Sequence, residues 1–390
     1  MIKKNFMKAL LVIYRDNERA GGSVRVAEVL ANSLLRLGVD LYVIVAYGGK
    51  GRLAKTLGDR CLLMHAADKF DFHAWWRYRR LLKELNPDLV HYIDTVGWMT
   101  LAGAGLHSTR IMHQHFRPDV GPDGSKRFKA IRWLSGTADQ VIAISVGAGR
   151  QLTEKCGIPS TKVSVVHNAI DPTYLISDTI SEDAIVTKYP RERVLGMAVR
   201  VVEDKGIEDA FYLLRKLPSN YILAIAGDGP AKARLENLAV EMGLAARTRW
   251  LGSVSDIRNF YAGIDYYLFM SWYEGFGLSV AEAMFLRKPV VGLLGDGEIA
   301  EAEYPLVNSE NSLLFGRTTP GAFKSESDPE VIRLLAEAIL DLDIDRDTQK
   351  KYVENAYDWV HQRFTSEVQA ERILAVYSKT LSRKKSWQQR

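Results

Sequence analysis

The first half of the chain alternates short apolar runs with stretches in which apolar residues recur at helical spacing. The apolar runs predict strands and the periodic stretches predict helices. The predicted strands are residues 9–14, 41–46, 89–93, 110–113 and 140–144, and the predicted helices are residues 24–37 and 75–85. Apolar strands that alternate with helices are typical of a parallel, doubly wound α/β sheet. Such sheets bind ligands beyond the carboxyl ends of their strands.

The second half repeats this alternation after a polar segment. Strands are predicted at residues 194–200, 221–230, 266–270 and 289–292, and amphipathic helices at residues 349–363 and 366–382. A chain of 390 residues, 47% of them hydrophobic and 25% charged, is long enough for two domains with separate cores. We predict an N-terminal domain of residues 1–172, a linker of residues 173–193, a C-terminal domain of residues 194–365 and a last helix within residues 366–390.

The most specific chemistry lies in residues 271–292, which read SWYEGFGLSVAEAMFLRKPVVG. Gly275 and Gly277 form a tight turn between a strand and a helix, an arrangement that presents backbone N–H groups to an anion. Glu274 lies in this turn and Glu282 lies about one turn into the helix. Glu282 can accept hydrogen bonds from a ribose diol, and Glu274 can do the same for a hexose. The alternative is a turn in which both acids only cap and pack the helix.

The pattern E-G-F-G-L-x-x-x-E-A-M in this stretch resembles the EX7E signature of retaining glycosyltransferases of family 4. The resemblance covers nearly the whole chain and implies the GT-B fold, in which two Rossmann-like domains face each other across a cleft. It implies that the N-terminal domain binds the acceptor, that the C-terminal domain binds a nucleotide sugar, and that the last helix crosses back to the N-terminal domain. The implied reaction moves a hexose, in the common case from a UDP-hexose, with retention at the anomeric carbon and without a metal or cofactor.

Other segments agree with the resemblance. Gly22 follows the first strand, where the family has a glycine loop that faces the donor. Arg200 and Lys205 lie in a segment like the family's G-R-L-x-x-x-K-G signature, with Val199 in place of the leading glycine, and are predicted to hold the diphosphate. The residues to which the resemblance assigns donor contacts are Gly22, Arg200, Lys205, Gly227, Trp250, Glu274, Gly275, Phe276, Gly277, Leu278 and Glu282.

Two of these donor assignments have simpler alternatives. Gly227 belongs to a Gly-x-Gly turn that lacks the third glycine and the distal acid of a dinucleotide fingerprint, so NAD is rejected as a ligand. Trp250 suits packing better than stacking on a base.

Two histidines, His113 and His115, come at the end of a predicted strand. Residues two apart on a strand point to the same face, so a metal pair is one interpretation, but no third ligand is evident. The family has a histidine here, near the transferred sugar. His115 fits that place best, with His113 as the alternative, and a buried, hydrogen-bonded histidine is the structural interpretation. The catalytic candidates are His115, Arg200, Lys205 and Glu274.

Two further segments each allow a specific interpretation. Gly297 and Glu298 are predicted to replace the family's G-G-x-x-E loop, although their spacing differs. Residues 340–347, LDLDIDRD, have aspartates at alternate positions but lack the glycine and glutamate of a calcium-binding loop. We interpret them as a solvated turn between helices.

A formal net charge of +5 favours anionic partners, either a phosphorylated donor or a bilayer surface with a glycan or lipid-linked acceptor. Trp76, Arg77, Arg80 and Lys83 are predicted on the outer face of a helix, which suits peripheral contact with a membrane. An ordinary solvated helix face is the alternative. A second basic and aromatic group consists of Lys126, Arg127, Lys129, Arg132 and Trp133.

The remaining predictions concern location and rival functions. Two cysteines indicate a reducing compartment. No apolar run reaches the roughly 18 residues of a membrane span, and the first apolar run is too short for a signal peptide. We predict a cytoplasmic enzyme of polysaccharide biosynthesis at the inner face of the plasma membrane, with no nucleic acid partner. A non-catalytic nucleotide-sugar-binding protein and a nucleotide-sugar epimerase of the same fold are the alternatives.

Overall fold

The computed structural model describes residues 7–16, 22–94, 97–115, 124–177, 185–186, 188–272, 274–296, 304–317 and 329–388. The chain divides into two compact units. The first unit consists of Met1–Ala169 and Thr365–Arg390, and the second unit consists of Ile170–Phe364. Each unit is built around one parallel sheet with helices on its faces.

The first unit contains a sheet of seven strands in the order β3-β2-β1-β4-β5-β6-β7, and its neighbouring strands run parallel. The strand order reverses between β1 and β4, and sheets of this type open a crevice at such a point. The elements are β1 (Lys8–Arg15), α1 (Gly22–Arg36), β2 (Asp40–Tyr47), α2 (Arg52–Leu57), β3 (Cys61–Leu63), α3 (Phe72–Leu85), β4 (Leu89–Ile93), α4 (Gly97–Ala102), β5 (Thr109–Gln114), α5 (Gly124–Gly136), β6 (Gln140–Ala143), α6 (Val146–Glu154) and β7 (Val163–Val165).

The second unit contains a sheet of six parallel strands in the order β10-β9-β8-β11-β12-β13, with its reversal between β8 and β11. The elements are α7 (Pro172–Leu175), β8 (Arg193–Ala198), α8 (Ile207–Lys216), β9 (Tyr221–Ala226), α9 (Lys232–Glu241), β10 (Thr248–Gly252), α10 (Ile257–Gly263), β11 (Tyr266–Phe269), α11 (Leu278–Phe285), β12 (Val290–Asp296), β13 (Leu313–Arg317), α12 (Pro329–Ile344) and α13 (Arg346–Arg363).

The final helix, α14 (Ser366–Gln388), belongs to the first unit. Its buried residues Ala370, Ile373 and Tyr377 join the same core cluster as strand residues of β1 and β2. At its first turn, Glu367 pairs with Arg36 of α1 across 3.0 Å. The first core is therefore completed by residues from the far end of the chain.

Both faces of each sheet are covered, which is why the strands are apolar on both sides. In β1, for example, Leu11 packs into one cluster and Leu10 into the cluster on the opposite face. This burial confirms the predicted doubly wound α/β architecture. The short strand β3 escaped prediction because three residues give almost no periodic signal.

The structure also shows how the polar segments between elements are placed. Within the predicted linker, Val186 is fully buried and Tyr174 donates a hydrogen bond to Asp256 across 3.1 Å, both inside the second unit. The predicted solvated turn at residues 340–347 was too long, because residues 340–344 end α12 and residues 346–347 begin α13, which leaves only Asp345 between the helices. Within α12, Asp343 accepts a 2.8 Å hydrogen bond from Arg193 and a 2.9 Å bond from Tyr266. The hydrophobic pattern could not show these partners, because they come from distant strands.

Across the described ranges, the helices are each too short or too polar to cross a bilayer.

Candidate active site

The carboxyl ends of β8 and β11 are neighbours at the reversal point of the second sheet, and their loops are packed together. The loop after β8 ends in a 3₁₀ turn, Glu203–Lys205, followed by Gly206 at the start of α8. Gly206 has a φ of +66°, and a Cβ atom there would lie 2.0 Å from the carbonyl oxygen of Met270. On the same side, the Trp272 amide donates to the Asp204 carbonyl across 2.8 Å. Only glycine permits this approach of the two loops.

Lys205 and Glu274 form an ion pair where these loops meet. The Lys205 Nζ lies 2.9 Å from Glu274 Oε2, and the two side chains are 16% and 23% exposed. Burial acts to lower the pKa of the Lys205 ammonium, but the charge of Glu274 and its hydrogen bond outweigh burial, and the pKa is raised above its ordinary value. Lys205 is therefore a positioned cation at physiological pH.

Arg200 follows β8 in the same loop. Its side chain is exposed, and the structure records no ion-pair partner for it within the described ranges. The backbone beside it is held by the loop after β9, since the Val199 amide donates to Ala226 and the Val201 amide donates to Asp228, each across 3.0 Å. This arrangement leaves the guanidinium available to an anion.

Gly227 allows these two loops to approach so closely. Its φ is +143°, and a Cβ atom would lie 1.8 Å from the carbonyl oxygen of Val199. The Val199 side chain packs against the core of the unit, so the valine found here in place of the family's glycine is accommodated.

The turn before α11 brings backbone amides and two acids together. Gly277 has a φ of +86° and precedes Leu278, the first residue of the helix. A Cβ atom on Gly277 would lie 3.3 Å from the Glu274 side chain. The helix start therefore presents its N–H groups beside the Lys205–Glu274 pair, as an anion site requires.

Glu282 is buried in α11 and faces α10. Its Oε2 accepts a 3.0 Å hydrogen bond from the hydroxyl of Tyr261, which is also 2.9 Å from the carbonyl oxygen of Ser279. The Tyr267 hydroxyl donates to the Ser279 hydroxyl across 2.7 Å. The two tyrosines hold this side of the helix, and the assignment of Glu282 to a ribose stays a prediction.

The aromatic donor candidates are part of the core. Phe276 is buried and its ring centroid lies 5.5 Å from that of Phe364. Trp250 packs edge to face with Phe211 of α8, with 6.4 Å between the centroids. Around Phe276, backbone groups are therefore better placed than the side chain to contact a ligand, and the predicted donor role of Gly275 is likewise a backbone role.

In the first unit, His113 and His115 lie at the end of β5, next to His91 of β4. The ring centroids of His91 and His113 are 5.2 Å apart, and those of His113 and His115 are 4.1 Å apart. We call these three residues the histidine stack. His91 Nδ1 lies 2.6 Å from the hydroxyl of Tyr377 in α14. Within the described part of the chain, no group forms a hydrogen bond with either ring nitrogen of His113 or His115.

Asp94 supports the end of this stack. It has a φ of +57°, and its amide donates to the His113 carbonyl across 2.8 Å. Its Oδ1 accepts a 3.0 Å hydrogen bond from the His115 amide and lies 3.6 Å from His115 Nδ1. His115 is thus placed at the carboxyl edge of the sheet, and its predicted role beside the sugar is not tested by these contacts.

Some predicted positions lie at or beyond the limits of the described residues. Gly22 is the first residue of α1. Gly297 and Glu298 lie outside the described ranges. Within those ranges, no group of three or more His, Cys, Asp or Glu side chains is arranged to hold a metal ion.

Sequence reasoning missed a buried ion pair next to the site. Arg317, at the end of β13, pairs with Asp209 of α8 across 2.6 Å and lies over the Trp272 ring at 4.1 Å. A basic residue after an apolar run gives no sign of burial. The burial of Arg317 depends on the strand order, in which β13 lies at the edge of this sheet, and the strand order is not evident from the local sequence.

Comparison with known proteins agrees with this architecture. The family model described as Glycosyltransferase Family 4 matches residues 20–174, and the model described as Glycosyl transferases group 1 matches residues 178–359. An uncharacterized glycosyltransferase of Methanocaldococcus jannaschii is 30% identical over 314 residues, covering 73% of this chain and 80% of that protein. The lipopolysaccharide core biosynthesis mannosyltransferase LpcC of Rhizobium leguminosarum is 30% identical over 265 residues, which cover 65% of this chain and 68% of that protein.

Among solved structures, Anabaena HepE in complex with UDP and glucose matches with a TM-score of 0.73 and 20% identity, over 96% of this chain and all of that chain. The chain belongs to the glycosyltransferases of family 4, with the GT-B fold. It is a glycosyltransferase enzyme, as the resemblance in its sequence implied.

Proposed function

We propose that the protein transfers a hexose from a UDP-hexose to a hydroxyl of a polysaccharide or lipid-linked glycan acceptor, with retention and without a metal. The observation that carries this proposal is the Lys205–Glu274 pair beside the start of α11. A cation, a sugar-binding acid and a set of backbone amides are the groups that a nucleotide-diphosphate sugar needs. The similarity to HepE, whose structure contains UDP and glucose, supports the class of donor, and the similarity to LpcC, a lipopolysaccharide core biosynthesis mannosyltransferase, supports the class of pathway.

In the proposed reaction, Arg200, Lys205 and the N–H groups at the start of α11 offset the charge that develops on the leaving diphosphate. An ammonium carries three N–H donors, so the bond from Lys205 to Glu274 is compatible with contact to a phosphate oxygen. The acceptor hydroxyl attacks from the face of the leaving group and gives its proton to a diphosphate oxygen, so no protein nucleophile is needed. Glu274 binds the hexose hydroxyls and Glu282 binds the ribose.

The test is transfer from UDP-glucose, UDP-galactose and GDP-mannose to a lipid-linked glycan acceptor, with and without EDTA. We expect a UDP-hexose to be used, the anomeric configuration to be retained in the NMR spectrum of the product, and EDTA to change the rate less than about twofold, because protein cations replace the metal. Loss of transfer with EDTA would contradict metal independence. An epimerised donor without acceptor would indicate an epimerase, and binding without turnover would indicate a non-catalytic protein.

We also propose that the first unit contacts an anionic membrane through the start of α3. Phe70, Phe72 and Trp76 are 64%, 69% and 66% exposed, an unusual grouping of large aromatic side chains. Lys69 lies 5.0 Å from the Phe70 ring and Arg80 lies 5.9 Å from the Trp76 ring. Rings flanked by cations suit the boundary between headgroups and acyl chains.

The structure refines which residues of this helix are available. Arg77 donates a 2.8 Å hydrogen bond to the Met64 carbonyl, which ties it to the fold, and Arg80 is 2.6 Å from Glu84. The aromatic residues are therefore the sharper targets. An inner-membrane contact fits a cytoplasmic enzyme, and both cysteines, Cys61 and Cys156, are free thiols.

A variant with Phe72→Ser and Trp76→Ser is expected to bind vesicles containing phosphatidylglycerol at least about tenfold more weakly than the wild type, because losing about 1.4 kcal/mol of apolar insertion has that effect. Flotation of both proteins measures this. The matched control is Tyr189→Ser with Ile344→Ser, which removes two exposed apolar side chains from the second unit. The proposal would be contradicted if the wild type did not float with the vesicles. It would also be contradicted if the control variant lost as much vesicle binding as the Phe72→Ser, Trp76→Ser variant.

A further inference from the structure

Arg317 is a buried cation whose contacts reach both halves of the Lys205–Glu274 site. It is the last residue of β13, and its side chain is 2% exposed. Its guanidinium donates to Asp209 across 2.6 Å and to the Met270 carbonyl across 2.8 Å, and it lies 4.1 Å from the centre of the Trp272 ring. One planar group therefore contacts a helix, a strand end and a turn.

These contacts fall on the two segments that carry the proposed donor site. Asp209 is in the first turn of α8, which begins two residues after Lys205. Met270 and Trp272 lead directly into the turn that contains Glu274. A shift of either segment would change the distance between the ammonium and the carboxylate.

The same two segments are also joined by backbone. The Trp272 amide donates to Asp204, and Gly206 lies against the Met270 carbonyl. Arg317 contacts that carbonyl and the Trp272 ring, so the junction is held by a side chain as well as by main-chain bonds. A lysine would keep the charge but not the planar fork and the stacked face.

We propose that Arg317, together with Asp209, is a positioning residue that sets the geometry of Lys205 and Glu274. This inference rests on the proposed function of that pair. A buried ion pair alone adds little stability compared with apolar residues of similar size. Arg317 is instead expected to affect the rate of transfer through its contacts with the Met270 carbonyl and the Trp272 ring. Arg317 touches no reacting atom and acts through the turn.

The test compares three proteins with the wild type. Arg317→Met combined with Asp209→Leu replaces the buried pair by apolar side chains, which keeps the core free of an unpaired charge. Arg317→Lys is the conservative variant. Arg333→Met is the matched control, because Arg333 forms exposed ion pairs with Glu330 and Glu337 on α12.

The first measurement is hydrogen–deuterium exchange, which does not depend on activity. In the double variant, the peptide that spans residues 270–277 is expected to exchange about tenfold faster, while peptides from β9 keep their wild-type rates. The second measurement is the steady-state kinetics of UDP-hexose transfer. We expect kcat to fall about tenfold with little change in KM for the donor, because Arg317 is proposed to place the groups that stabilise the transition state. Arg317→Lys is expected to be intermediate, and Arg333→Met to match the wild type.

Wild-type exchange and wild-type kcat in the double variant would overturn the proposal. Faster exchange in every peptide of the second unit would do the same, because it would show a purely structural role. If the wild type transfers sugar from no donor, the proposed function fails, while the exchange experiment still decides whether Arg317 holds the turn.

Discussion

A variant with Arg200→Ala and Lys205→Ala is expected to transfer sugar about 10² times more slowly than the wild type, or slower still. The reason is that both cations are proposed to offset the charge on the leaving diphosphate, and losing a stabiliser of that kind typically costs this much. Lys205 is the better defined of the two, since its raised pKa keeps it charged and Glu274 holds it in place. The measurement is kcat with a saturating UDP-hexose.

The controls separate this effect from simple loss of charge. Arg215→Ala with Lys216→Ala removes two exposed cations from the last turn of α8 and is expected to leave kcat unchanged. Lys205→Ala also removes the ion-pair partner of Glu274. The single variant Arg200→Ala therefore measures how much kcat depends on a cation that is not part of this ion pair. Near-normal transfer by the double variant would contradict the assignment of the diphosphate to this loop.

The first unit is expected to lose stability steeply as the pH falls below about 6. Burial, together with the charge of His115, lowers the pKa of His91 to about 3, and burial lowers the pKa of His113 well below its usual range. In the unfolded chain both imidazoles have a pKa of about 6.5. Between these values the unfolded state binds protons that the folded state does not, so the free energy of unfolding decreases as the pH falls. For His91 the loss is about 2–3 kcal/mol between about pH 6 and pH 4, and His113 adds a loss of the same sign.

Urea denaturation across this pH range measures the effect. The variant His113→Phe keeps an aromatic ring in the histidine stack but removes one titrating group, so its free energy of unfolding should fall less steeply with decreasing pH than that of the wild type. Its stability at neutral pH should not decrease much, since no described group bonds to either nitrogen of His113. His73→Phe, at an exposed position in α3 of the same unit, is the control. Equal slopes for the wild type and His113→Phe would show that His113 does not remain neutral in the folded state.

Much of the fold could be predicted because the strands are buried on both faces. β4, for example, is a continuous apolar run except for His91, and that pattern is sufficient to predict a central strand. The hydrophobic pattern does not predict which groups the His91 imidazole contacts. His91 meets His113 across two neighbouring strands and Tyr377 from α14, and these contacts depend on strand order and on a helix almost 300 residues further along the chain.

The candidate site was predicted residue by residue, but not as an arrangement. Lys205 and Glu274 were predicted separately, one to hold the diphosphate and the other to bind the hexose. Their ion pair follows from β8 and β11 being neighbours at the reversal of the sheet. Arg317 and Asp209 gave no local signal, since their burial exists only after β13 and α8 have packed around the turn. Functional residues that belong to a short motif can be predicted from the sequence. Residues that hold the motif in place from distant parts of the fold cannot be predicted in this way.

The return of α14 to the first unit has a consequence for synthesis on the ribosome. Ala370, Ile373 and Tyr377 are made after every residue of the second unit, yet they complete the core of the first. The second unit can therefore finish folding while the first is still incomplete, which reverses the usual order of N-terminal domain first. A nascent chain lacking the last helix leaves an apolar groove beside α1 open, and chaperone capture during translation should be strongest at that stage.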